Sequence, residues 1–367
     1  MHVLICGGGA IGCSIAHFLA RRGVKVTVVE STGIACAASG KSGGFLARDW
    51  CAGTPLDPLA RHSFDLHAEL AGKFSDDWGY RPLDTYGGFA SRRVSLGQYR
   101  SAYALDWFAA DVAVTQALGS PKTTAQVHPA RYTEAMMRAA EALGAELKEG
   151  CVVGLRRDGN RVAGVELEGG EVIDAEAVVV AMGPWSVLAA RWLPLPPIFG
   201  LKGHSLVFDT GERVPAEAAF LEYQEESGAV LTPELFSRPN GTTYVCGISG
   251  EEVVPLDPAR VKPDGGAIYR LEAMCRALSP VLAAAPIVAR QACYRPVTAD
   301  GLPLIGPVPG VAGAYIATGH SVWGILNAPA TGEAMAELIV DGAPHTVDLA
   351  PFDPGRLRPL DSSRLRT

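Results

Sequence analysis

The first thirty residues constrain this chain more than any other stretch. His2–Cys6 is an apolar run that reads as a buried strand, and Gly7-Gly8-Gly9-Ala10-Ile11-Gly12 follows at once. From Ser14 to Arg22 the spacing is helical, with Ile15, Phe18 and Leu19 on one face. Gly23 then stops the helix ahead of a second strand, Val24–Glu30. A strand, a turn, a helix and a strand with Gly7, Gly9 and Gly12 at this spacing make a dinucleotide-binding unit. Gly7 permits the tight turn, Gly9 lets backbone approach a pyrophosphate, and Gly12 lets helix and strand pack closely. The helix N-terminus offers N–H groups and the positive end of a dipole to the phosphates. Glu30 stands where a carboxylate would bond the adenosine ribose hydroxyls and repel a 2′-phosphate, which disfavours NADP. The unit leaves FAD and NAD both open.

At 367 residues the chain exceeds one ordinary domain, so two substructures with ample apolar core are expected. Hydrophobic residues at 48 % against 19 % charged describe a globular protein. The net charge of −7 argues against nucleic acid or an anionic membrane as partner. The eight cysteines contain no CxxC pair and lie mostly in apolar runs, which suggests reduced thiols in a cytoplasm. A core strand that starts at residue 2 leaves no room for a signal peptide, and the expected localisation is cytoplasmic. Gly301–Gly332 carries no charged side chain, but its four prolines and many glycines rule out a membrane span and suggest a strand, turns and a helix start.

Further along, Ala37–Phe45 is a small-residue loop whose backbone N–H groups could face a ligand, or a plain surface loop. Helices are expected over Ala60–Trp78, Pro129–Leu143, Ala267–Leu278 and Ala328–Val340. Strands are expected around a Gly87-Gly88 turn, across Glu146–Val180, at Gly203–Phe208, Ala219–Tyr223 and Thr242–Gly247, and at Val311–Ala317. Ser95–Gln126 supports no assignment. The chain thus returns to α/β after a β-rich stretch. The expected fold class is α/β with an α+β insert: a Rossmann-type dinucleotide-binding domain carrying an inserted antiparallel β-sheet substrate domain. We place the nucleotide domain at 1–79, 128–198 and 296–345, the substrate domain at 80–127 and 199–295, and a C-terminal tail at 346–367.

Four ordered motifs carry a resemblance over nearly the whole chain. They are Ile5–Glu30, Ala38–Phe45, Val179–Ser205 with its Ala-Met-Gly-Pro-Trp-Ser and Leu-Lys-Gly-His-Ser, and Arg290–Leu338. The last contains Tyr294-Arg295-Pro296 and Ala317-Thr318-Gly319-His320-Ser321-Val322-Trp323-Gly324. In these the sequence resembles the D-amino-acid oxidase superfamily of FAD enzymes, nearest its glycine oxidase and sarcosine oxidase branch. The resemblance, not the spacing, selects FAD. It implies that Ala10 and Ile11 cover the pyrophosphate and that Glu30 and Ser31 meet the ribose. It also implies that Ser39, Ser42, Gly43 and Gly44 meet flavin and phosphates, that Val152 meets the adenine, and that Gly183 belongs to the third cofactor-side motif. His320, Ser321, Val322, Trp323, Gly324, Ile325 and Leu326 match the C-terminal flavin loop, where N–H groups near a helix start would stabilise a reduced ring. His320 is either a polar flavin contact or a buried histidine satisfied by backbone.

Arg295 matches the arginine that grips the substrate carboxylate in glycine oxidases, and a guanidinium suits that task because it makes two parallel charge-assisted bonds. The competing role is an ion pair with Asp300. The family's second arginine in the C-terminal loop is here Val322, which points to a bulkier or secondary amine rather than glycine. Tyr80, Tyr86, Tyr223, Tyr244 and Tyr294 are candidate pocket tyrosines or plain core aromatics. Glu225, Glu226 and Glu234 could bind a cationic group or sit solvated in loops. Cys293 aligns with the cysteine that carries flavin on the sarcosine oxidase side, or is a small buried apolar residue. The expected activity is oxidation of the C–N bond of an amino acid or N-substituted amino acid by hydride transfer to flavin, with O₂ or another electron acceptor closing the cycle. A 2-hydroxy-acid dehydrogenase and a non-catalytic FAD-fold binding protein stand as alternatives. The expected partner is a small-molecule amine or amino acid, and no metal is implied; oligomeric state is not encoded in any motif.

Overall fold

The apolar run at the N-terminus becomes an interior strand, His2–Cys6, of a six-stranded sheet. In this computed structural model, residues 1–94 and 101–365 are described. Lys25–Glu30 and Ala177–Val180 flank that strand in parallel. Glu146–Glu149 closes one edge, and Ala314–Thr318 with its antiparallel neighbour Leu304–Pro307 closes the other. Both faces of this sheet are covered, as a parallel sheet requires. Val3 and Ile5 face a core built with the helices Ala10–Ala20, Asp57–Lys73, Pro129–Glu141 and Gly324–Asp341. Leu4 and Cys6 face the other way, toward the three-stranded sheet Val152–Asp158, Arg161–Leu167 and Val172–Asp174. A Cβ at Gly12 would stand 2.0 Å from the Gly7 carbonyl oxygen, so the close helix–strand approach demands glycine there.

The inserted sheet has eight strands: Ile287–Val297, Phe199–Asp209, Thr242–Gly250, Glu234–Ser237, Glu217–Gln224, Asp84–Ser91 and Ala113–Gly119 in order, with Val230–Leu231 beside Glu217–Gln224. It is mixed rather than antiparallel throughout, because Glu217–Gln224 and Asp84–Ser91 run parallel. One face packs on the helix Gly265–Leu278 through Leu206, Phe208, Leu235, Val245 and Leu271. The opposite face turns toward the nucleotide-binding fold. A small third sheet, Phe45–Ala47, Thr124–Gln126 and Arg81–Pro82, lies between the two.

Two further expectations need correction. The Gly87-Gly88 pair makes no turn: Asp84–Ser91 is one continuous strand. Its glycines answer to a neighbour instead, since a Cβ at Gly88 would stand 2.3 Å from the Ala113 carbonyl oxygen on the next strand. The C-terminal helix begins at Gly324 rather than Ala328, so Pro329 lies inside it. Proline there cannot donate to the Ile325 carbonyl. The Nε2 of the buried His67 bonds that carbonyl instead, at 2.9 Å. Part of the unassigned stretch from Ser95 to Gln126 falls outside the described residues; the rest supplies Ala113–Gly119 and Thr124–Gln126. Among the described residues no helix is long and apolar enough to cross a membrane. The 346–367 segment packs Val347, Leu349 and Phe352 into the nucleotide-fold core.

Candidate active site

One long cleft runs from the end of the strand Lys25–Glu30 to the inner face of the inserted sheet. It gathers nearly every residue singled out above. Gly7, Gly9, Ala10, Ile11, Glu30 and Ser31 line one end, with Val152 beside them. Ser39, Ser42, Gly43, Gly44 and Gly183 line the middle, and His320–Ile325 with Cys293 and Arg295 the far end. Gly12 and Leu326 are not on the cleft surface. Gly12 packs against Gly7, and Leu326 is buried in the core.

The adenosine end is held by its own loops. Both oxygens of Glu30 accept backbone N–H bonds, Oε2 from Gly8 at 2.7 Å and Oε1 from Thr32 at 2.8 Å. Oε1 also takes a longer bond from the Gly33 N–H at 3.4 Å, which leaves Oε2 the second lone pair for a ribose hydroxyl. Ser39 Oγ accepts the Ala10 N–H at 2.9 Å and so ties the second loop to the first helical turn. From the inserted sheet, Arg238 reaches across to the same loop, donating to the carbonyls of Ser42 and Gly43 at 2.9 and 3.3 Å. This guanidinium is buried and lies 5.2 Å from the centre of the Tyr244 ring. Burial lowers its pKa to about 10.

The C-terminal loop is strained at one point. Ser321 adopts φ +51, a left-handed conformation unusual for a residue with a side chain and often found at functional sites. Thr318 Oγ1 donates to the Gly183 carbonyl at 3.0 Å, which joins the two cofactor-side loops. His320 is buried and its Nε2 meets Thr331 Oγ1 at 3.1 Å. Burial holds it neutral by lowering its pKa to about 3. Its ring partner is thus a threonine hydroxyl rather than backbone. Val322 is 53 % exposed, and the neighbouring Trp323 stands edge-on to Trp50 with centroids 6.4 Å apart.

At the far end the walls are side chains of the inserted sheet. Arg295 projects beside Gly203, and its one side-chain hydrogen bond among the described residues runs to Ser249 Oγ at 3.3 Å. It does not pair with Asp300, whose carboxylate is engaged by Arg356 at 2.8 Å. Hydrogen bonds from Arg356 hold the Asp300 carboxyl down at about 2. Glu234 also lines the cleft, with Cys246 Sγ 3.5 Å from its Oε2. Burial pushes its carboxyl above the usual range, against the pull of Arg295. Burial likewise raises the Cys293 thiol, which leaves it protonated and a weak nucleophile. Of the tyrosines considered, only Tyr244 reaches the cleft. Tyr294 bonds the Val253 carbonyl, and Tyr223 lies in the other core. Glu225 is committed to Arg270.

A family model described as FAD dependent oxidoreductase matches residues 2–338. The chain belongs to that family. A relative in Schizosaccharomyces pombe, an oxidoreductase by name only, is 31 % identical over 96 % of this chain and 97 % of its own length. The glycine oxidase of Pseudomonas putida is 29 % identical, covering 97 % of this chain and 99 % of that one. The crystal structure of glycine oxidase from Geobacillus kaustophilus matches with a TM-score of 0.78 at 26 % identity, over 96 % and 97 % of the two chains. This FAD-dependent oxidoreductase therefore lies near the glycine oxidase branch, and its cofactor is FAD.

The cleft fits that group on its own terms. Ser42 Oγ is buried on the cleft wall with no partner among the described residues, the mark of a hydroxyl built to meet something else. FAD held here would supply the redox chemistry, and the protein its position and surroundings. Sequence reasoning missed Trp50, Phe220 and Phe236, which line the cleft with Phe45 as one contiguous cluster of rings. It also missed Arg238. The alternation Glu234-Leu235-Phe236 did hold a signal, because period two sets Glu234 and Phe236 on the face opposite the core residue Leu235.

Proposed function

We propose that this FAD-dependent oxidoreductase oxidises the C–N bond of an amino acid or N-substituted amino acid, with Arg295 holding the substrate carboxylate. The observation that carries this reading is a guanidinium on the cleft wall whose only hydrogen bond among the described residues is one long contact with Ser249. A planar cation so placed offers a carboxylate two parallel bonds and fixes the α-carbon over the flavin. Domain roles follow: 1–79, 128–198 and 296–345 hold FAD, while 80–127 and 199–295 hold the substrate. The exposed Val322 and the ring cluster of Phe45, Trp50, Phe220 and Phe236 favour a substrate bearing an apolar group larger than the hydrogen of glycine. Glycine oxidase activity in a relative supports the amine class. His320 stays neutral at the flavin end and orients through Thr331. Anaerobic mixing with a panel of amines and carboxylic acids tests the reading: flavin bleaching by amines that carry a carboxylate supports it, and no bleaching by any amine overturns it.

A further inference from the structure

Glu234 and Arg295 are opposite charges on one face of one sheet, and they form no ion pair. Arg295 bonds Ser249, while the nearest polar partner of Glu234 is the Cys246 thiol. Yet each feels the other electrostatically. Register explains the placement. Glu234 stands opposite Cys246, and Cys246 opposite Ser205 on the strand that also pairs with the Arg295 strand. Phe220 stands opposite Glu234 on its other side, so one flank of the carboxylate is apolar. An isolated buried carboxylate is costly unless something compensates it. Here the cleft itself is the open side, and whatever enters must be compatible with an anion.

We propose that Glu234 receives the ammonium group of the substrate while Arg295 holds its carboxylate, and that Glu234 takes the ammonium proton before the α-hydrogen leaves. This rests on the amine-oxidising reading above and gives that reading its selectivity. The bookkeeping is complete within the site. One N–H bond of the ammonium breaks and its proton goes to a Glu234 oxygen, leaving the electron pair on nitrogen. That pair then forms the C=N bond as the α-C–H bond breaks, and the hydrogen departs with its two electrons to the flavin. The product iminium ion hydrolyses in water. A 2-hydroxy acid brings no cation, so it would leave Glu234 without a counter-charge. Burial of the carboxyl, which favours its protonated form, suits a group that must accept a proton. The titratable and charged groups that line the cleft with it are Arg295 and Cys293 on one strand and Tyr244 and Cys246 on another, with His320 on the nucleotide side. His320 is neutral, and burial holds the thiols and Tyr244 protonated. Glu234 is therefore the carboxylate among these cleft groups placed to take a proton from a bound ammonium.

Stopped-flow reduction of the anaerobic FAD holoenzyme tests this, with glycine, sarcosine, proline and phenylalanine against glycolate, lactate and phenyllactate. The wild type is expected to be reduced by amines and not by hydroxy acids. For Glu234→Gln at pH 7 the second-order reduction rate with amines is expected to fall about 100-fold or more, the usual scale for losing a proton-transfer group. That deficit should shrink roughly tenfold per pH unit as the amine itself deprotonates. Glu234→Asp keeps the charge and should retain the wild-type pH profile at a lower rate, which separates proton transfer from packing damage. An unchanged rate in Glu234→Gln, or a loss that does not depend on pH, overturns the inference alone. Reduction of the wild type by hydroxy acids and by no amine overturns the reading of the site and this inference with it.

Discussion

The two ends of the cleft are built by opposite rules. The nucleotide end is made of backbone: glycines, small residues and helix N–H groups contributed by contiguous stretches such as Gly7–Ile11 and Ser39–Gly44. The substrate end is made of side chains, one or two from each of several strands far apart in sequence, among them Phe220, Glu234, Tyr244 and Arg295. A surface of backbone tolerates little change, because any added atom collides with the chain or the ligand. One made of side chains can be exchanged position by position.

The sharpest break should therefore come at the nucleotide end. Gly12→Val sets side-chain atoms against the Gly7 carbonyl, which a Cβ alone would approach to 2.0 Å. We expect no soluble yellow holoprotein, judged by flavin absorbance of the purified fraction. At the substrate end, Arg295→Met should keep its flavin but raise the KM for carboxylated amines by about 100-fold, near 3 kcal/mol of lost charge-assisted binding. A third change addresses the tie between the ends. Arg238→Met removes the donors to Ser42 and Gly43, and with them the support of that loop. It should weaken FAD binding about tenfold, measured by flavin fluorescence, while the KM of saturated holoenzyme moves less.

The contrast also sets how much could be read in advance. Contiguous backbone motifs are visible in a sequence because their spacing is the structure: Gly7, Gly9, Glu30 and the Thr318–Gly324 turn all reach the cleft or flank it. Side-chain walls depend on which strands pair and in which register, and nothing local to Phe220 or Trp50 announces that they meet. Gly87-Gly88 was misread for the same reason. The glycines serve a neighbouring strand at Ala113, not a local reversal. Pro329 shows the converse, a local helix breaker tolerated because His67, distant in sequence, bonds the carbonyl it orphans.

Two smaller effects sharpen the comparison. His67 and His320 are buried neutral, with pKa values lowered to about 4 and about 3. The unfolded chain binds protons at these sites from about pH 6.5 downward and the folded chain does not, so stability falls as pH drops through that window. Between pH 7 and pH 5 each site should cost about 2 kcal/mol, read by denaturant unfolding. His67→Asn should reduce that pH dependence. Smallest of all, Cys293→Ser should leave flavin content unaltered, since the buried thiol is held protonated. Acid precipitation of the wild type should leave the colour in the supernatant, and a yellow pellet would show a thioether.

The most direct test of the central claim is the anaerobic saturation curve for flavin reduction, measured on wild type and Arg295→Met with the same carboxylated amine. The account predicts saturable bleaching in the wild type and a curve that fails to saturate over the same range in the variant, both proteins carrying equal FAD. Equal saturation in the two would contradict it.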